Sequence, residues 1–328
     1  MSASESLFAE APRALPEPFA SWFKARGWQP HAHQLALLAQ AGAGRDTLLI
    51  APTGGGKTLA GFLPSLTDLA RRPARPAPET AIHTLYVSPL KALTVDIARN
   101  LATPVAEMDL PIKLETRTGD TPPSRRARQR LLPPHILLTT PEQIALMLSH
   151  RSAADLFGAL NFVILDELHA LASSKRGDLL ALDLARLRTL SPGLTAIGLS
   201  ATVARPYELA AYLMPHRGKA ATRLAEIVVA GEGARADISI LRSDAALPWA
   251  GHSARYALPE IYAAIEAHRM SLVFVNTRSQ AEMLFNELWR HNDANLPIAL
   301  HHGSLDVAQR RKVEAAMVQG KLRAVVCT

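Results

Sequence analysis

One stretch limits the possible folds more than any other. The apolar run 47–50 feeds directly into Ala51-Pro-Thr-Gly-Gly-Gly-Lys-Thr58, and an apolar helical pattern follows. A strand, a glycine-rich turn and a helix in that order form a cradle for an anion. Gly54, Gly55 and Gly56 carry no Cβ, so with Thr53 their backbone N–H groups can wrap phosphate oxygens. The turn ends at a helix N-terminus, where unpaired N–H groups and the helix dipole favour negative charge. Lys57 is placed to neutralise the outer phosphates, and the Thr58 hydroxyl to bind Mg. A glycine-rich turn that merely precedes Lys-Thr is the plain alternative; the flanking strand and helix weigh against it.

The rest of the chain supplies the sheet such a loop needs. Short apolar runs at 47–51, 82–87, 136–139, 162–165 and 196–199 alternate with amphipathic stretches at 91–100, 141–149 and 177–190. Strands alternating with helices predict βαβ units and an α/β fold with a parallel sheet covered on both faces. Residues 71–78, with three prolines, read as a surface loop. Around 231–250 the alternation lapses, which predicts a linker between a first lobe (1–230) and a second (251–328). The second lobe repeats the pattern: helix 258–268, strand 272–275, helix 279–290, strand 298–301, helix 306–319 and strand 322–327. About three strands is few for such a lobe, so it is expected to be incomplete.

Composition excludes some classes. Hydrophobic residues make up 48% and charged residues 20%, which suits a packed core. Cys327 is the sole cysteine, so neither a disulfide framework nor a Cys-cluster zinc site is available. No secretory signal and no membrane-length apolar run is visible, so the expected compartment is the cytoplasm. The net charge of +7 and pI near 9.8 favour an anionic partner, although an arginine-rich surface is also compatible with those values.

A second chemical signal sits at the end of the run 162–165, where Asp166 and Glu167 follow an apolar strand. In open parallel sheets, ligands lie beyond the carboxyl ends of strands. Asp166 is then placed to reach Mg through its water shell, and Glu167 to orient and deprotonate an attacking water. Adjacent carboxylates also serve as helix caps, and only the phosphate loop tips the balance. Three further strand ends carry polar turns. Ser88-Pro-Leu-Lys-Ala-Leu93 offers Pro89 and Lys91, Thr139-Thr-Pro-Glu142 offers Thr139, Thr140 and Pro141, and Thr116-Arg-Thr-Gly-Asp-Thr121 offers Arg117 and Thr118. Arg125, Arg126, Arg128 and Arg130 follow the last of these. Backbone N–H groups and cations in such turns hold phosphates of a nucleic acid; capping turns and a solvated arginine face are the ordinary alternatives.

Taken together these motifs resemble those of superfamily 2 helicases. Asp166-Glu-Leu-His169 resembles the DExH box, and the Ala51 variant of the phosphate loop is common in that superfamily. Val87-Ser-Pro-Leu-Lys-Ala-Leu93, Arg117-Thr-Gly-Asp-Thr-Pro122 and Asp166-Glu-Leu-His-Ala-Leu171 are similar to the large helicase-related (Lhr) family, and to its ligase-associated DEXH-box branch. Pro248-Trp-Ala-Gly-His252, Phe274-Val-Asn-Thr-Arg278 and His301-His-Gly-Ser304 support it.

The resemblance implies two RecA-like lobes of the phosphate-loop NTPase fold, with ATP and Mg bound. It assigns Gln34 to adenine reading, though a glutamine on a helix face is also ordinary. It places His169, Ser200 and Thr202 at the nucleotide, and Asn276 and Arg278 near the nucleic acid. It further implies 3′ to 5′ movement on single-stranded DNA, a DNA/RNA duplex as a possible substrate, and DNA-ligase-associated repair partners. Motifs V and VI, with their arginine fingers, would lie beyond Thr328. The expectation is therefore an N-terminal fragment that binds ATP and turns it over poorly. A nucleotide-dependent single-strand-binding module without unwinding activity is the rival reading. Adjacent His301 and His302 should point to opposite strand faces, which argues against a metal site there.

Overall fold

A computed structural model describes residues 14–52, 54–72, 81–201, 203–215, 223–231, 237–243 and 254–328. The chain divides into two compact units, Met1–Arg235 and Ala236–Thr328.

In the first unit the elements run α1 (Phe19–Ala25), α2 (Ala32–Gly42), β1 (Thr47–Ile50), α3 (Lys57–Arg71), β2 (Thr84–Val87), α4 (Lys91–Glu107), β3 (Leu114–Arg117) and α5 (Pro123–Leu131). They continue with β4 (Ile136–Thr139), α6 (Pro141–Leu148), α7 (Ala153–Phe157), β5 (Phe162–Leu165), α8 (Leu168–Ala172), α9 (Lys175–Leu190), β6 (Thr195–Ser200), α10 (Pro206–Tyr212) and β7 (Glu226–Val229). The seven strands form one sheet in the order β3-β4-β2-β5-β6-β1-β7, and every pairing is parallel.

The apolar runs are continuous because helices cover both faces, and alternate side chains serve opposite cores. Leu48, Leu85, Val163 and Leu165 pack with α6 to α10. Leu49, Tyr86, Ile164 and Leu199 pack with α1 to α4.

The second unit holds a short 3-10 turn, then α11 (Leu258–Ala267), β8 (Ser271–Phe274), α12 (Arg278–Arg290), β9 (Ile298–His301), α13 (Val307–Val318) and β10 (Ala324–Cys327). Its parallel sheet has the order β8-β10-β9, packed on Ile265, Leu284 and Leu288. Side-chain caps set two of these starts: Thr277 accepts from the Gln280 amide and Asp306 from the Ala308 amide.

Two strands escaped the sequence pattern. β3 contains Thr116 and Arg117, which the sequence places in a turn; the turn begins only at Thr118. β7, an edge strand, has exposed ends and partly buried centres. Both lie at sheet edges, where one side of the backbone lacks a neighbour and the apolar signal thins. Part of the expected linker 231–250, residues 73–78 of the expected loop and the 248–252 stretch lie outside the described residues.

Candidate functional site

The sheet order makes β5, β6 and β1 consecutive, so the turns after them share one rim. A cleft of about 630 Å³ opens there, lined among others by Gly54, Gly56, Lys57, Thr58, Asp166 and Glu167. Sequence placed these residues at two separate strand ends; the fold joins them.

The loop geometry follows from its glycines. Gly54 and Gly56 have φ of +80° and +71°, a left-handed conformation that costs a residue with a Cβ about 1–2 kcal/mol. A Cβ on Gly55 would stand 3.0 Å from the Pro52 carbonyl oxygen, and one on Gly56 would stand 3.1 Å from Gln34 Nε2. Lys57 Nζ donates to the Ala51 carbonyl at 3.0 Å, folding the lysine back over its own loop. Thr58 occupies the first turn of α3. Thr53 and Thr202 lie outside the described residues.

Gln34 is buried on α2 beside this loop. Its Oε1 accepts the His31 amide at 2.9 Å, which closes a capping box. His33 Nε2 lies 2.8 Å from the Gly55 carbonyl oxygen; burial lowers its pKa despite that bond. Sequence reasoning did not single out His33. Its only sign was a position one residue before Gln34.

The acidic pair divides into a buried and a half-exposed member. Asp166 is 4% exposed. Its Oδ1 accepts the Glu167 amide at 2.8 Å, and its Oδ2 accepts the Tyr86 hydroxyl. Burial pushes this carboxyl up; the Tyr86 and Glu167 donors pull the other way. Glu167 sits at φ +50°, a strained conformation for a non-glycine residue. That conformation lets α8 start at Leu168 immediately after the strand end. His169 Nε2 lies 3.4 Å from Glu167 Oε2, and His169 Nδ1 lies 3.2 Å from Ser200 Oγ. Ser200 therefore joins β6 to the acidic turn through His169.

On the other half of the sheet, β3, β4 and β2 are consecutive and bring the three polar turns together. Lys91 Nζ pairs with Asp120 at 3.0 Å and is exposed. Pro89 is tied down through its carbonyl, which accepts from Arg176 Nη1 at 2.9 Å, and Arg176 also meets Glu142 at 2.5 Å. Pro141 opens α6. Arg117, Thr118, Thr139 and Thr140 are buried. Thr139 Oγ1 donates to the Arg117 carbonyl at 2.8 Å, and the Thr118 amide to Thr121 Oγ1 at 2.9 Å, so these side chains shape the turns.

The arginine run is not uniformly solvated. Arg125, Arg128 and Lys113 converge on buried Glu115. Arg126 donates to the Thr118 and Gly119 carbonyls at 3.2 and 2.6 Å. Burial lowers the Arg117 guanidinium to about 10, and Arg126 and Arg130 add repulsion. In the second unit, Asn276 and Arg278 are exposed, with Arg278 Nη1 bonded to Ser304 Oγ at 2.6 Å. His301 pairs with Glu314 and His302 with Glu282.

The sequence pattern of the DEAD/DEAH box helicases matches residues 31–210, more than half of the chain. The chain belongs to the DEAD/DEAH box helicase family. Among similar helicases is the protein named ATP-dependent helicase Lhr-Core protein 2 of Thermococcus barophilus. It is 34% identical over 326 residues, covering 95% of this chain and 38% of that protein. The Lhr helicase/probable uracil glycosylase of Mycolicibacterium smegmatis is 37% identical over 357 residues, covering 94% of this chain and 23% of its own length.

The solved structure of the Mycobacterium smegmatis helicase Lhr bound to single-stranded DNA and AMP-PNP superposes with a TM-score of 0.77 at 38% identity. It covers 96% of this chain and 41% of the Lhr chain. This helicase chain thus spans less than half the length of the relatives it matches. Helicases of this family use ATP. Among the described residues, no helix is long and apolar enough to cross a membrane.

Proposed function

We propose that the chain is the ATP-driven motor portion of a nucleic-acid helicase of the Lhr kind. The observation that carries this reading is the meeting of Lys57, Thr58, Asp166 and Glu167 on one cleft. In this reading the N–H groups of the loop, from Thr53 to Gly56, hold the triphosphate, with Lys57 as its counter-charge. Gln34 marks the adenine side, and Glu167 accepts the proton of the attacking water. His169, Ser200 and Thr202 form the relay between the acidic pair and β6.

The donor set fits Mg: a threonine hydroxyl and a buried carboxylate are hard oxygen donors facing the same cleft. Thr58 and Asp166 would hold Mg, which would neutralise phosphate charge there.

The nucleic acid runs over the turns at Pro89–Lys91, Arg117–Thr118 and Thr139–Pro141, with Asn276 and Arg278 supplying the second grip. Lobe 1–230 carries the nucleotide, and lobe 251–328 serves as the partner lobe beyond the linker 231–250. Backbone contact of this kind carries little base information. The likeness to the DNA-bound Lhr structure favours DNA. The motif resemblance in the sequence is what implies 3′ to 5′ movement, a role in DNA repair and ligase-associated partners.

Lys57 is the phosphate loop's own cation at the cleft, whereas related NTPases add further positive charge from outside the loop, worth roughly 10³–10⁵ in rate. This favours a chain that, alone, binds ATP and single strands but hydrolyses ATP slowly. Steady-state ATPase with and without single-stranded DNA or RNA, at matched salt, tests the proposal. We expect weak, nucleic-acid-stimulated turnover that Glu167→Gln abolishes while nucleotide binding persists. Turnover unaffected by Glu167→Gln would sink the assignment.

A further inference from the structure

Tyr86 is fully buried in β2, within the apolar core that includes Leu49, Leu138 and Ile164. A phenol hydroxyl placed there needs a partner, and it takes the Oδ2 atom of Asp166. The register pairs Tyr86 with Ile164, two residues before Asp166, so the long side chain reaches the strand end from below. The ring itself is fixed by stacking on Phe62, with centroids 5.2 Å apart and planes inclined by 25°. Phe62 belongs to α3, the helix that starts at Lys57.

Asp166 thus has one donor on each carboxylate oxygen, the Glu167 amide on Oδ1 and the phenol on Oδ2. An ionised carboxylate has about four acceptor directions, so room remains for a further ligand. Its rotation, however, is already set by two groups that cannot move without disturbing the sheet.

We propose that Tyr86 is a positioning residue, whose hydroxyl fixes the Asp166 carboxylate in the orientation that serves Mg. This rests on the nucleotide-site reading above. Outer-shell partners of this type commonly alter metal affinity by about 10–100-fold when removed. A phenol that merely satisfied itself in the core would affect stability and leave Mg dependence alone.

The test uses the full 328-residue chain and a fluorescent ADP analogue, whose binding is titrated with Mg and compared with binding in EDTA. Tyr86→Phe keeps the stacked ring and removes the hydroxyl. We expect it to raise the half-effective Mg concentration about 10–100-fold and to leave affinity in EDTA unchanged. Asp166→Ala should raise it at least as far. Tyr86→Leu, which loses ring and hydroxyl, should show the same Mg shift as Tyr86→Phe together with a lower melting temperature.

An unchanged Mg requirement in Tyr86→Phe, with a shift in Asp166→Ala, overturns the role of Tyr86 and leaves the nucleotide site standing. No shift in Asp166→Ala overturns both. A shift in Tyr86→Leu without one in Tyr86→Phe assigns the effect to packing and also overturns the proposal.

Discussion

Asp183 offers a measurement that separates a charge from its surroundings. It lies on α9, 3% exposed, and its Oδ2 has no hydrogen-bond partner. Helix α9 packs on α6, where Gln143 Oε1 is a second buried oxygen without a partner. Burial pushes the Asp183 carboxyl up to about 6, against a smaller opposing pull from Arg186. The ordinary value is 3.8, and about two pH units at about 1.4 kcal/mol each amount to about 3 kcal/mol.

The sign follows from proton counting. Between about pH 4 and 6 the folded chain holds a proton that the unfolded chain has released, so stability falls as pH rises through that window. Above it the full cost is in place. Asp183→Asn keeps the shape and removes the charge. It should stabilise the chain by about 1–3 kcal/mol at pH 8 and by close to nothing at pH 4. In a unit of this size that is a rise of several degrees in melting temperature at pH 8, at about 2–4 °C per kcal/mol. Thermal and urea unfolding at both pH values measure the difference. A gain equal at the two pH values would refute the reasoning, because it would come from packing or hydrogen bonding and not from ionisation.

Other perturbations have different readouts. Gly56→Ala should weaken nucleotide binding by at least tenfold in a fluorescent-nucleotide titration, because φ +71° strains a residue with a Cβ and that Cβ would crowd Gln34 Nε2 at 3.1 Å. Glu115→Gln should destabilise the chain by about 1–3 kcal/mol. Burial raises the Glu115 carboxyl, but Gln129, Arg128 and Lys113 outweigh it and leave it low. Its contribution is thus present above about pH 4.5 and lost in acid, so the wild-type and variant unfolding curves should converge as pH falls. Arg278→Ala should lower single-stranded DNA affinity and reduce the slope of log affinity against log salt by about 0.7, the value for one lost phosphate contact; an unchanged slope removes Arg278 from the phosphate path.

The central strands were legible because apolar residues dominate each of them, and their ends were legible because polar motifs begin there. β3 and β7 were not, since an edge strand such as Leu114–Arg117 can alternate a buried glutamate with partly exposed residues. For the candidate site, the residue types of the loop and the acidic pair were readable, while their supports were not. His33 and Arg176 act through contacts 22 and 87 residues away in sequence. Local spacing holds no trace of such partners. Tyr86, a phenol between Leu85 and Val87, was likewise not singled out by local spacing.

The sheet order gives that phenol its significance. The turns proposed to hold nucleic acid follow β3, β4 and β2, and those proposed to hold nucleotide follow β5, β6 and β1. The two sets meet along one seam, where β2 pairs with β5. Any mechanical coupling carried by the sheet between the ligands must cross this seam, and the side-chain bond from Tyr86 to Asp166 spans it. Ser88, the first residue of the turn after β2, is buried two residues beyond Tyr86, near enough to act on its hydroxyl. A shift of that turn when a phosphate binds would therefore reach the metal-side carboxylate through one side chain. If so, Tyr86→Phe should reduce the stimulation of ATP turnover by single-stranded DNA more than it reduces the unstimulated rate. Equal loss of both would place the phenol in the nucleotide site alone.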